Sequence, residues 1–210
     1  MKLYNYWRSS ASWRVRAALH LKAIPFEYVS VHLVKDGGQQ HGATYTAMNP
    51  MAQVPLLELD DGRRIGQSVA ILEYLEEAFQ AIPLLPADPY ARAETRQLVE
   101  IINSGIQPFQ NLTAQKRVRE MGGDADAWTK AFITTGLAAL EAIARDTAGA
   151  FLVGNTPTLA DCALVPQLYA ARRFGVDLTP FPTLTAVDAT CAQHEDFERA
   201  HADNQPDATP

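Results

Sequence analysis

"KLYNYWRSSASWRVRAALHLK", residues 2–22, reads as a strand, a turn and a helix in one stretch. Residues 2–7 are short and aromatic-rich, which suits a strand. From Ser12 to Lys22, Val15, Ala18, Leu19 and Leu21 are spaced for one broad helical face. Ser9 or Ser10 stands where the N-cap is expected. Three hydroxyls (Ser9, Ser10, Ser12) and three guanidinium groups (Arg8, Arg14, Arg16) therefore crowd one helix start, with no cysteine or histidine to serve as nucleophile or base. A helix N-terminus rich in donors suits a bound anion.

Working outward, residues 26–33 form a second strand, and residues 35–50 a loop with a short helix ended by Asn49-Pro50. Residues 54–59 form a third strand. Asp61-Gly62 turns into a fourth over residues 63–66. Residues 67–79 are a helix whose stripe is Ile71, Leu72, Leu75 and Phe79, with Glu73, Glu76 and Glu77 expected in water. The order βαβαββα, with Pro55 opening the third strand, is the pattern of a thioredoxin-like domain. Either isomer of the Val54-Pro55 bond is compatible with the sequence. A thioredoxin would carry Cys-x-x-Cys at the first helix start. Ser9-Ser10-Ala11-Ser12 stands there instead, which excludes dithiol chemistry at that turn.

Three prolines over residues 81–89 mark a linker. The expected division is a domain over 1–80, the linker 81–89 and an all-α domain over 90–210. Helices are expected over 90–121 (one or two), 124–146, 159–174 and 182–194, and the polar tail "DNQPDATP", residues 203–210, is expected to be disordered. The string "TLAD" at Thr158 is a capping box opening the most apolar of these helices, and Gly175 closes it.

Composition narrows the function. The net charge of −6 argues against a nucleic-acid binder. Cys162 and Cys191 are far apart in sequence, which suits a reducing, cytoplasmic compartment rather than a disulfide scaffold. No secretory signal and no membrane span are expected, so the Asn111-Leu112-Thr113 sequon carries no weight. The histidines show no metal-ligand spacing, so no metal is expected. Neither a GxGxxG nor a P-loop is present.

What remains is a set of anion-friendly positions. Ser9 and Ser10 offer hydroxyls at one helix start, and Gln67 and Ser68 an amide and a hydroxyl at another. The backbone of Val54, before Pro55, could pair with an extended peptide. Each has a plain structural reading as a cap or a strand opening. In combination they fit a short, anionic, thiol-bearing peptide, and glutathione is that ligand. A free thiol has a pKa of about 8.5, and lowering it by about two units takes about 2.7 kcal/mol.

The motifs are specific in combination. "SSASWRVRAAL", "KDGGQQ", "NPMAQVP", "QSVAILEYLEE", "LLPADP", "GIQPFQNL" and "RRFGVDLTPFPT" together resemble the zeta-class glutathione transferases, the class that includes maleylacetoacetate isomerase, over essentially the whole chain. The resemblance implies a thioredoxin-like domain followed by a helical one, an active site between them, and a homodimer. It implies Ser10, with Ser9 beside it, as support for a glutathione thiolate. Ala11, Ser12, Trp13 and Arg14 belong to the same motif. Gln40, Val54, Gln67 and Ser68 fall at glutathione-contacting positions, and Gln107, Asn111, Leu112 and Thr113 at cleft positions of the helical domain. Arg8 and Arg173 are implied to face substrate carboxylates, although Arg172 and Arg173 also suit a helix C-terminus on dipole grounds alone. Arg14 and Arg16 have a structural alternative, pairing with acids or covering apolar surface.

The implied reaction is glutathione-dependent cis–trans isomerisation of a maleyl dicarboxylic keto acid. Members of the class commonly read SSCS; Ala11 removes that cysteine, and a mechanism using an enzyme thiol there is not available. Some related maleylpyruvate isomerases carry an extra arginine in the segment where this chain has Leu112. The choice between maleylacetoacetate and maleylpyruvate therefore stays open. A conjugating transferase and a non-catalytic binding module are the alternatives.

Overall fold

The computed structural model describes residues 1–209. It forms two compact units, Met1–Leu84 joined by the segment from His194 onward, and Leu85–Gln193. The division falls inside the expected linker. The helical unit ends at Gln193, so the expectation that 90–210 forms one domain is corrected at its C-terminal end.

The first unit holds strands β1 (Lys2–Asn5), β2 (Glu27–Ser30), β3 (Leu56–Glu58) and β4 (Arg64–Gly66), with helices α1 (Ser10–Leu21), α2 (Ala43–Met48) and α3 (Ser68–Ala78). The sheet order is β2-β1-β3-β4. β1 and β2 run parallel across the α1 crossover, whereas β1–β3 and β3–β4 are antiparallel. The expected order βαβαββα is thus observed, with β1 and β2 shorter than their sequence patterns.

Helix α1 is buried almost all round; Trp13, Arg14, Val15, Arg16, Ala17, Ala18 and Leu19 are all sealed from solvent. It packs against α3 on one side and a C-terminal helix on the other, which is why its apolar face is broad. Lys22, the C-cap of α1, reaches Glu76 Oε1 at 2.5 Å and the carbonyl of Ile82 at 2.7 Å. The same carboxylate accepts from the Leu84 N–H at 3.0 Å. Glu76, expected in water, is therefore a buried clamp at the end of the unit, with its partner and donors in place as a buried charge requires.

The second unit is helical: α4 (Pro89–Gly105), α5 (Gln107–Gln110), α6 (Leu112–Glu120), α7 (Ala125–Thr147), α8 (Leu159–Arg173) and α9 (Pro182–Cys191). The stretch expected as one or two helices is three. Gly105 and Pro108 break it, since proline has no N–H to donate to the carbonyl four residues back and its ring crowds that carbonyl; at the break Ile106 sits over Gly136 of α7, where an added Cβ would lie 2.2 Å from Ile106 Cγ1. Pro108 then opens α5, and Asn111 caps α6. Helix α8 is buried along nearly its whole length and packs on α4 and α9. Its capping box is complete: the Asp161 carboxylate accepts from Leu152 N and Thr158 N at 2.7 Å each, and from Thr158 Oγ1 at 2.8 Å. Burial pushes this carboxyl up to about 6, against the downward pull of those three donors. Helix α9 lacks a side-chain cap of its own; Glu141 of α7 accepts from Thr183 N at 3.3 Å and Leu184 N at 3.1 Å instead.

The sequence pattern missed α10 (Glu195–Ala200), which packs on α1, and a 3-10 turn at Ala202–Asn204. Arg16 holds α10 there, donating to the carbonyl of Ala200 at 3.2 Å. The expectation of a disordered tail over 203–210 is corrected for residues 203–209, where Gln205 and Asp207 are hydrogen-bonded to the rest of the unit; residue 210 lies outside the described residues.

Candidate active site

The pairing register gathers the predicted positions at one end of the sheet. Tyr4 of β1 faces Leu56, and Leu56 faces Gly66. Continuing each strand past these pairs brings three segments to the same edge: the β1–α1 turn, residue Val54, and the pair Gln67–Ser68.

At the first of these, Ser9 is the N-cap of α1, and its Oγ accepts from the Ser12 N–H at 3.2 Å. A hydroxyl that accepts at its lone pair still has its own proton to donate. Ser10 and Ala11 follow at the first two helical positions, where N–H groups have no intrahelical acceptor. Ser9, Ser10 and Ala11 are half-buried. The first turn of α1 contains no acidic residue, so the positive end of the helix dipole is not offset from within the helix. Arg8 is exposed, its guanidinium 5.0 Å from the Trp7 ring centre. Ser12, Trp13 and Arg14 do not face this opening. They are sealed beneath the turn, Trp13 edge-on to His201 at 4.8 Å. The Ser12 Oγ is buried with no hydrogen-bond partner among the described residues.

Arg14 links this turn to the second segment. Its Nη1 donates to Ser68 Oγ at 3.2 Å, which puts a buried guanidinium behind the first residue of α3. Ser68 itself is 4% exposed, whereas Gln67 is exposed and holds φ 68°. A positive φ at a non-glycine residue costs on the order of 1 kcal/mol and is found where a turn must aim its groups.

Third, the Val54-Pro55 peptide is cis, which settles the isomer left open by the sequence. Val54 precedes the first paired residue of β3. Its neighbour Gln53 is fixed by two donors to one carbonyl, Tyr45 OH at 2.6 Å and Asn49 Nδ2 at 2.7 Å. Burial pushes the Tyr45 phenol up to about 12, so it stays a donor. Gln40 lies in the loop before α2, 8% exposed. Its Nε2 donates to Leu33 O at 3.3 Å, and its Oε1 has no partner among the described residues. Gly38 allows this packing: it has φ 99°, and a Cβ there would sit 2.6 Å from the Gln40 amide.

In the helical unit, Gln107 is half-buried on α5, and Asn111 acts as a plain N-cap, accepting from Thr113 N at 3.0 Å. Leu112 is 51% exposed and Thr113 is exposed. A reciprocal amide pair, Gln110–Gln167 at 3.1 and 3.0 Å, fixes this corner from inside. Arg172 is committed to Asp188 at 2.6 Å. Arg173, at the end of α8, is exposed with its guanidinium 4.8 Å from the Phe174 ring centre.

Three features escaped the sequence reading. The Arg14–Ser68 bond joins residues 54 positions apart, and the double clamp on Gln53 closes a loop whose sequence carries no regular pattern to signal it. Arg16 donates to carbonyls of Tyr6, Trp7 and Ala200 and to Asn5 Oδ1, and it is wholly buried. These hydrogen bonds go to neutral acceptors, and a wholly buried guanidinium does not cover surface. Desolvation lowers its pKa to about 10, against the raising effect of Asp207, the acid that acts on it, and leaves it charged at neutral pH. Cys162 and Cys191 are buried, and burial pushes the Cys191 thiol up. Neither is a reactive thiol.

The arrangement is a thioredoxin-like sheet whose open edge presents hydroxyls, amides and helix N–H groups, and no thiol. Residues 8–78 match the glutathione S-transferase N-terminal domain and residues 126–202 the glutathione S-transferase C-terminal domain, and the chain belongs to that family. Within the family its relatives include maleylacetoacetate isomerases and maleylpyruvate isomerases. It is 47% identical to the probable maleylacetoacetate isomerase 2 of Drosophila melanogaster, over 99% of this chain and 90% of that one. Among solved structures, a bacterial zeta-class maleylpyruvate isomerase in its holo form superposes with a TM-score of 0.95 at 43% identity, covering 100% of both chains. The maleylacetoacetate isomerase of Anaeromyxobacter dehalogenans 2CP-1, with GSH bound in its active site, gives a TM-score of 0.91 at 51% identity, covering 99% of this chain and 97% of that one. The zeta-class resemblance stated from the motifs is thereby shown.

Proposed function

We propose that the chain is a glutathione-dependent cis–trans isomerase of maleyl dienol acids, converting maleylacetoacetate to its fumaryl isomer. The observation that carries this is the start of α1: a capping hydroxyl with a proton still to donate, uncapped N–H groups and no acid in the first turn. The donor set fits glutathione. Ser68 and Gln67 offer a hydroxyl and an amide to the γ-glutamyl end, Val54 offers its backbone to the middle, and the unpartnered Oε1 of buried Gln40 asks for a donor.

Bound glutathione would supply a thiolate that adds to the cis double bond, permits rotation about the resulting single bond, and leaves again. Ser9 and Ser10 hold the sulfur position with O–H donors. A hydrogen bond to a charged group contributes about 1.5–3 kcal/mol and a helix N-terminus about 0.3–1 kcal/mol, together enough for the roughly two-unit shift such a thiol needs. Arg14, behind Ser68, adds positive potential where a carboxylate would sit. Arg8 and Arg173 hold the substrate's carboxylates; as bidentate donors they also favour charge that builds up during addition.

Assay of purified protein with maleylacetoacetate and with maleylpyruvate, each with and without glutathione, is the test. Turnover that does not depend on glutathione would overturn the proposal. Arg173→Ala is expected to raise KM about tenfold with little change in kcat. Maleylpyruvate is the second reading of the substrate, supported by the likeness to the bacterial maleylpyruvate isomerase; Leu112, which lacks a cation, favours the first. Activity on chlorodinitrobenzene-type electrophiles alone would make the chain a conjugating transferase. A homodimer and a cytoplasmic location belong to the same reading, and sedimentation velocity tests the dimer.

A further inference from the structure

β1 ends at Asn5, and residues 6–9 leave the sheet without a ladder partner. Two side chains, both tied to the C-terminal segment, hold this exit. Arg16 donates from Nη1 to the carbonyl of Tyr6 at 3.3 Å, from Nη2 to that of Trp7 at 2.8 Å, and from Nε and Nη2 to that of Ala200 at 3.2 Å each. Asp207 takes the other side of the same peptide plane region: its Oδ2 accepts from the Trp7 N–H at 3.3 Å. That carboxylate is itself seated on β2, accepting from Ser30 Oγ at 2.7 Å and from the Tyr28 hydroxyl. Trp7 is therefore gripped at its N–H by residue 207 and at its C=O by residue 16, one residue before Arg8 and two before the Ser9 cap.

We infer that Asp207 is a positioning residue for the turn carrying Ser9 and Ser10, so that the C-terminal segment sets the geometry of the thiol-holding helix start. The inference rests on the proposed glutathione site. A carboxylate at this place does two things a hydrophobic tail could not. It satisfies a main-chain donor that the sheet leaves unpaired, and it faces the buried Arg16, whose donors fix the next carbonyl. The groups around it are Arg16, Tyr28, Ser30 and the Trp7 backbone. Loss of the carboxylate frees the Trp7 plane to rotate, and with it the direction in which the Ser9 and Ser10 hydroxyls point.

The test compares Asp207→Ala and Asp207→Asn in the full chain. In the ligand-free protein, amide hydrogen exchange over residues 6–12 is expected to rise about tenfold in the alanine variant, with residues 56–66 unchanged. With glutathione bound, the thiol pKa read from ultraviolet thiolate absorbance should rise by about one unit, and kcat should fall about tenfold at unchanged KM for the maleyl acid. Asp207→Asn keeps an oxygen for the Trp7 N–H and should stay within about threefold of the parent. The double variant Tyr28→Phe, Ser30→Ala, which unseats the carboxylate without removing it, should move the same readouts in the same direction by less, and it serves if the alanine variant does not fold. Unchanged exchange over residues 6–12 and an unchanged thiol pKa, beside a lowered melting temperature, would make the segment merely structural and overturn the inference. If the parent protein binds no glutathione, the functional proposal fails, while the exchange measurement still decides the role of Asp207.

Discussion

Helices α1 and α8 both start at a hydroxyl cap, yet their first turns differ in one respect: α8 carries its own carboxylate and α1 carries none. In α8, Thr158 and Asp161 satisfy each other and the Leu152 N–H, and the whole cluster is buried. In α1, Ser9 caps Ser12, and the remaining positions of the first turn stay half-buried and uncompensated. A helix N-terminus that serves the fold is neutralised from inside the chain. One that serves a ligand keeps its positive end for an anion arriving from outside.

The largest way to break this contrast is at α8. Asp161→Ala strands three buried donors and is expected to cost about 3–5 kcal/mol in chemical denaturation, while the activity per folded molecule is retained. Because the Asp161 carboxyl sits at about 6 in the folded chain, above its ordinary 3.8, the folded state binds this proton more tightly than the unfolded one. Its contribution to stability is therefore fully present below about pH 4 and is lost as pH rises through about 6. Denaturation at about pH 4.5 and about pH 7 reads this, and Asp161→Asn, which does not titrate, should lack that dependence.

Next in size is a change that makes α1 resemble α8. Ala11→Asp puts a carboxylate into the first turn of α1. Melting temperature should hold or rise slightly, while activity falls roughly a hundredfold, about 2.7 kcal/mol, because the new charge repels the thiolate. Equal losses of stability and activity would mean that the turn is a structural cap like its counterpart. Ser10→Ala is expected to lower turnover about tenfold and raise the pKa of the bound thiol, with stability nearly unchanged since Ser9 carries the cap. A titration with no thiol shift would dismiss Ser10 from the role. The smallest effect is expected of Ala11→Cys, which restores the residue common in this class. Steady-state turnover should stay within about threefold, because the reacting sulfur is not the protein's own.

Much of this was legible along the chain. The alternation of strand and helix patterns, Pro55 at the head of β3, the prolines around residue 85 and the Thr158-x-x-Asp161 box are local signals, each carried by a few neighbouring residues. The misreadings share a cause. Glu76 looks like one of three solvent-facing acids, but Lys22, 54 residues away, and the Leu84 N–H, in the loop that folds back after α3, meet it. Residues 90–121 carry a helical pattern that Gly105 and Pro108 interrupt, and at the break Ile106 closes on Gly136 of another helix. The final residues are polar enough to resemble a free tail, but Arg16 and the partners of Asp207 seat them.

By itself, the order of residues determined the two classes of structure, the helix starts and the absence of a reactive thiol at the first of them, because caps, turns and periodicity act over a few residues. Only the tertiary structure decided which of the similar caps stays open, that the buried Arg14 reaches Ser68, and that Ala200 and Asp207 return to the first turn. Those outcomes depend on burial and on partners some 50 to 200 positions away, and desolvation is a property of the packed molecule that no short stretch of sequence contains.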